Sequence, residues 1–111
     1  MSDRMQRLRG QLTVLASSAT EQLRYLEEQN LPECIDELAL DYDAIAATAN
    51  DMLSRGEVSQ QQRNCVKALN DFLGEFSGQQ NAHLWTPEAL RSAPEWEKVR
   101  RMATECLAQL K

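Results

Sequence analysis

The chain has 111 residues, of which 42% are hydrophobic, so it is expected to form a single helical domain over 1–111 with a self-sufficient core rather than a disordered segment. Seventeen acids against twelve bases give a net charge of -5 and a pI near 4.8, which argues against direct nucleic-acid binding, since that requires a basic face. No apolar run approaches the ~20 residues of a membrane span, and the N-terminal residues lack the apolar core of a secretory signal, so a soluble, cytoplasmic chain is expected.

The charge is unevenly placed. Between Arg24 and Arg55 there is no lysine or arginine, yet the stretch holds eight acids: Glu27, Glu28, Glu33, Asp36, Glu37, Asp41, Asp43 and Asp51. The remainder, with nine acids and twelve bases, is slightly basic. A charge concentrated on one element creates a directional field that can steer a charged partner.

In chain order, the apolar spacing predicts four helices. The first runs from about Asp3 to Gln29, capped by Ser2, with Met5, Leu8, Leu12, Leu15, Ala19, Leu23 and Leu26 on one face. Val14 and Tyr25 fall on a second face. Asn30, Leu31 and Pro32 break the pattern, and Pro32 suits the first turn of a second helix that ends near Arg55 with Gly56 as its stop. Its stripe is Ile35, Leu38, Tyr42, Ile45, Ala49 and Met52. Ser59 and Gln62 form a capping-box pattern for a third helix reaching about Phe76, with Cys65, Leu69, Phe72, Leu73 and Phe76 facing inward.

Residues 78–85 read as irregular. Thr86 and Pro87 then start a short extra turn, and Ser92 to Glu95 give a second capping signal for the last helix. That helix presents Trp96, Val99, Ala103, Cys106 and Leu110 on one face. Amphipathic helices joined by short turns bury such stripes most simply as an all-α, antiparallel four-helix bundle.

The three cysteines, Cys34, Cys65 and Cys106, lie on or beside the apolar stripes, with no C-x-x-C pair and no histidine neighbour. Buried reduced thiols are expected, with no metal and no cofactor. The lone His83 has Gln80, not glutamate, three residues before it, so the Glu-x-x-His pattern of di-metal bundles is missing. Neither a phosphate-cradling glycine loop nor a nucleophile elbow is present, and no enzymatic activity is expected.

On a helical wheel the second helix separates its stripe from Glu33, Asp36, Glu37, Asp41 and Asp43, with Leu40 among the acids. Carboxylates at 33, 37 and 41 are i,i+4 neighbours, each pair disfavouring an isolated helix by roughly 0.2–0.5 kcal/mol. A solvated face or neutralisation by Arg100 and Arg101 accounts for such a run. So does a docking surface for a basic partner with Leu40 as apolar anchor, to which His83 and Trp85 from the following loop contribute. For Leu84 and Trp85 the alternative is a cap on the end of the bundle.

Asp36-Glu37-Leu38-Ala39-Leu40-Asp41-Tyr42, with Phe76-Ser77-Gly78, Asn81, Leu84-Trp85-Thr86 and Trp96-x-x-Val99-Arg100, resembles the small helical immunity proteins of bacterial polymorphic-toxin and contact-dependent growth-inhibition systems. The resemblance runs from Leu31 onward. It implies a non-enzymatic cytoplasmic protein that binds a cognate toxin domain, often a nuclease, and blocks its active site or substrate surface. A self-associating helical adaptor or regulator is the competing expectation, and it would leave an apolar stripe exposed.

Overall fold

A computed structural model describes residues 3–110, all of whose regular elements are helical. They are α1 (Asp3–Ala16), α2 (Ala19–Glu28), α3 (Asp36–Ala46), α4 (Ala49–Ser54), α5 (Gln60–Glu75), a 3₁₀ helix (Gln79–Leu84), α6 (Pro87–Ser92) and α7 (Pro94–Gln109). The first two of the four expected helices each break in two, and with the expected extra turn, α6, the described residues form seven α-helices. The expected cap at Ser2 lies outside the described residues.

The first break is chemical. Ser17 and Ser18 are poor helix formers because their hydroxyls compete for backbone groups. Ser17 Oγ donates to the Val14 carbonyl at 2.6 Å, and Ser18, in extended conformation, accepts from the Glu21 N–H at 3.2 Å as the cap of α2. The break shifts the helical phase. Leu23, expected inside, is half-buried, and Gln22 takes a fully buried place. Its Nε2 donates to the carbonyls of Leu15 (3.0 Å) and of Val14 (3.2 Å), which also accepts from Ser17, at the end of α1.

α2 ends in a Schellman motif. Asn30 adopts a left-handed φ of 61°, its N–H bonds the Glu27 carbonyl at 3.0 Å, and the Leu31 N–H reaches Leu26 at 2.9 Å. Pro32 does not open a helix, contrary to its expected place. Glu33 is itself left-handed at φ 66°, and α3 begins only at Asp36. The second break, at Ala47 and Thr48, includes a bond from Thr48 Oγ1 to the Ile45 carbonyl at 2.8 Å. The stripe survives it: Ile35, Leu38, Tyr42, Ile45, Ala49 and Met52 are all buried. Gly56, at φ 74°, stops α4 by a second Schellman motif, its N–H bonding Leu53 and that of Glu57 bonding Met52.

The capping box of α5 forms as expected, with Ser59 Oγ accepting from the Gln62 N–H at 3.1 Å and Gln62 Oε1 from the Ser59 N–H at 2.7 Å. Leu69, Leu73 and Phe76 are buried, joined by Val66, while Cys65 and Phe72 are only half-buried. The stretch after it, expected to be irregular, contains the 3₁₀ helix. Thr86 caps α6 through the Ala89 N–H at 3.1 Å, with Pro87 in its first turn. Ser92 does not cap α7: its hydroxyl donates to the Glu88 carbonyl, and Ala93 holds the cap position without a side-chain bond.

α1 packs against α3 and α7, and α5 packs against the same two, so these four elements close a ring around the core. All five inward residues expected of the last helix are buried there. One end of the core is aromatic. Phe76 stacks on Trp85 with centroids 5.2 Å apart, and Trp96 meets both rings edge-on. Trp96 Nε1 donates to the Leu84 carbonyl at 2.7 Å, and Tyr42 Oη donates to that of Val66 at 2.8 Å, so both buried polar ends are satisfied.

The cysteines correct the expectation of three buried thiols. Cys65 on α5 and Cys106 on α7 form a disulfide, their Cα atoms 5.7 Å apart, within bridging range once the two helices lie side by side. Cys34 is free and exposed in the turn before α3.

Candidate protein-docking site

α3 carries its acids on two different flanks. Asp36 and Glu37 lie in the first turn, where the helix dipole favours negative charge. Asp41 and Asp43 lie beyond its reach. Glu37 and Asp41 are i,i+4 neighbours on the flank nearer α2. There Tyr25 Oη donates to Asp41 Oδ2 at 2.8 Å. Burial, then the hydrogen bond and charge of Asp41, raises the Tyr25 ionisation, whereas a hydrogen bond from Gln11 opposes the shift.

Asp36, Ala39, Leu40 and Asp43 occupy the other flank, beside the C-terminal end of α5 and the 3₁₀ helix. Two shallow clefts meet there and share Ala39, Leu40 and Ser77. One, of about 420 Å³, is completed by Asp36, Gly78, Gln79, Ala82 and Trp85. The other, of about 450 Å³, is completed by Asp43, Asn70, Asp71, Leu73, Gly74 and Glu75. Leu40 stands between them with 54% of its surface exposed. Among the described residues, Leu31 at 36% is the only other large hydrophobic so exposed.

Of the eight residues singled out from sequence, the structure brings Asp36, Leu40, Asp43 and Trp85 into this groove. Glu37 and Asp41 belong to the opposite flank of α3. Glu33 is exposed on the turn before α3, and His83 is exposed on the 3₁₀ helix; neither lines the clefts. Trp85 is half-buried and fixed by its ring contacts and by a 2.8 Å bond from Nε1 to the Phe76 carbonyl. It caps the aromatic end of the core, one of its two expected places, and also lines the cleft. Asp71 and Glu75 were not anticipated. The only sequence signal for them is i,i+4 spacing on the polar face of α5, and only packing brings that face beside α3.

The groove is electrostatically one-sided. Asp36, Asp43, Asp71 and Glu75 line it, and no lysine or arginine lines either cleft among the described residues. Asp71 pairs with exposed Lys67 at 2.9 Å, and Asp43 accepts from Asn70 Nδ2 at 2.8 Å. Among the described residues, Glu33, Asp36, Glu37, Asp41 and Asp43 make no ion pair. Arg100 does not neutralise them. Its Nη1 donates to Gln22 Oε1 at 3.2 Å and the Leu90 carbonyl at 3.0 Å, and burial lowers its pKa from the usual guanidinium value. Asp51, the last acid of the stretch, is spoken for by Arg4 at 2.8 Å and Arg55 at 2.9 Å, and the Arg4 hydrogen bond leads in holding its carboxyl below the ordinary range.

No group of three or more His, Cys, Asp or Glu residues is placed to hold a metal ion among the described residues, and no helix there is long and apolar enough to cross a membrane. Neither a family model, nor a curated protein, nor a solved structure matches the chain.

Proposed function

We propose that this protein is a non-enzymatic inhibitor that binds a basic toxin domain, as an immunity protein does, and covers the toxin's substrate-binding surface with the acidic face of α3. The observation that carries this reading is the exposed Leu40 on α3, whose neighbouring carboxylates Asp36, Glu37, Asp41 and Asp43 make no ion pair among the described residues. A nuclease must present a basic surface to its substrate. An acidic face complementary to it raises the association rate and rejects wrong partners, while a central apolar side chain supplies desolvated contact.

The ring formed by α1, α3, α5 and α7 supports an antiparallel four-helix arrangement as the scaffold. The apolar stripes are used inside that scaffold, and the described surface exposes only Leu31 and Leu40 among large hydrophobics. That weighs against an adaptor that self-associates through a helix-long apolar face. The reading places the protein in the cytoplasm with its toxin. Thiols there are kept reduced, so the inhibitory fold must persist without the Cys65–Cys106 bridge.

The test is capture of basic proteins from the host, followed by replacement of Asp36, Glu37, Asp41 and Asp43 with lysine. Wild-type protein should retain a toxin domain and suppress its activity, and the four-fold variant should lose both while keeping its helicity. An unchanged affinity and an unchanged salt dependence would refute the charge-based mechanism.

A further inference from the structure

The groove beside Leu40 has walls specific enough to define what enters it. We propose that it receives an amphipathic cationic helix of the partner, with one apolar side chain on each side of Leu40 and lysine or arginine over the rims. This rests on reading α3 as a docking surface, and it locates the docking on the α5 side of α3 rather than on the Glu37–Asp41 side.

The two clefts, of about 420 and 450 Å³, lie on either side of a single projecting leucine. An entering surface must therefore offer two apolar projections separated by a gap that admits Leu40. Residues three or four apart on a helix stand ~5–6 Å from each other on one face and leave such a gap. The described chain has no strand and so offers no sheet edge to an extended peptide; the helix-in-groove mode, with anchors at i and i+3 or i+4, fits this architecture. Ala39 and Ala82 are small and leave room for a bulky anchor beside the Trp85 ring. Gly74 does the same in the second cleft, where a Cβ would meet nothing within 4 Å.

Charge decides the rest of the occupant. Asp36 borders the first cleft, and Asp43, Asp71 and Glu75 border the second, with no base among the lining residues. An apolar helix with acidic flanks would meet like charge on both rims. A helix with basic flanks meets opposite charge on both, which favours its approach and fixes its register.

The experiment uses two synthetic 16-residue helical peptides with the same leucine pattern, one with lysine and one with glutamate at all other positions. Each is titrated into the full ¹⁵N-labelled chain. The lysine peptide should shift the amides of Ala39, Leu40, Gly74 and Ser77 to Ala82, and the glutamate peptide should not bind. Leu40→Ser, at an exposed position that leaves the core intact, should weaken the lysine peptide tenfold or more with an otherwise unchanged spectrum.

Four results would overturn the inference: no binding of the lysine peptide, equal binding by Leu40→Ser, shifts centred on Glu33, Glu37 and Asp41, or a concentration-dependent homodimer that Leu40→Ser abolishes. Shifts on the Glu37 flank leave acidic docking standing and move its site. Loss of acidic docking itself is read separately, from the charge-reversed variant against the toxin.

Discussion

Gln22 is a polar side chain that the fold requires inside. It binds two carbonyls at the end of α1 through Nε2 and accepts from Arg100 through Oε1, tying α1, α2 and α7 together. Gln22→Leu adds apolar surface but removes the Gln22 bonds to the Leu15 carbonyl and Arg100, while the Val14 carbonyl keeps Ser17, and an unsatisfied buried group costs about 1–3 kcal/mol. The variant should unfold at lower urea concentration, with an unfolding free energy lower by about 1–3 kcal/mol. Tyr42 makes a second test. Burial pushes its ionisation up, so the folded state favours the neutral phenol that donates to Val66. The folded value lies above the unfolded one, so this stability is fully present below about pH 10 and is lost as pH rises through the folded value. Tyr25 shifts in the same direction, chiefly by burial. Thermal melts between pH 8 and 12 should show a falling midpoint, and Tyr42→Phe should reduce that fall.

At the scale of elements, the bridge between α5 and α7 closes a separation of 41 residues. The chain-entropy relation assigns such a loop about 4 kcal/mol. Reduction should therefore lower the denaturation midpoint markedly without abolishing the fold, as circular dichroism with and without reductant will report. The pairing was not legible in the sequence, because it depends on which helices become neighbours, and Cys65 and Cys106 carry no local mark of that. Local chemistry was legible. The Ser59–Gln62 box, the Thr86–Pro87 start and the Gly56 stop each need only a few adjacent residues, and each forms. The breaks at Ser17–Ser18 and Ala47–Thr48 are hidden in the sequence because three- and four-residue apolar spacing runs straight through them. Leu23 continues the pattern on paper, yet the change of axis hands its place to Gln22. The groove was half legible for a related reason: a helical wheel groups Asp36, Leu40 and Asp43, but Asp71 and Glu75 come from another helix.

At the scale of the molecule, the net charge of -5 has an address. Its source is the base-free stretch from Arg24 to Arg55, and the fold does not cancel it evenly. Asp51 is paired with Arg4 and Arg55, Asp41 is held by Tyr25, and Asp36 and Asp43 remain beside Leu40 at the groove. The resulting field should make association with a basic partner fast at low salt and weaker as screening shortens to ~8 Å at physiological ionic strength. Calorimetric titration of the proposed partner, a basic toxin domain, at low and physiological salt, with the wild type and with the Asp36, Glu37, Asp41 and Asp43 to lysine variant, measures that claim most directly. The account predicts tight, salt-sensitive binding by the wild type and at least a hundredfold loss in the variant. Equal affinities with equal salt dependence would contradict it.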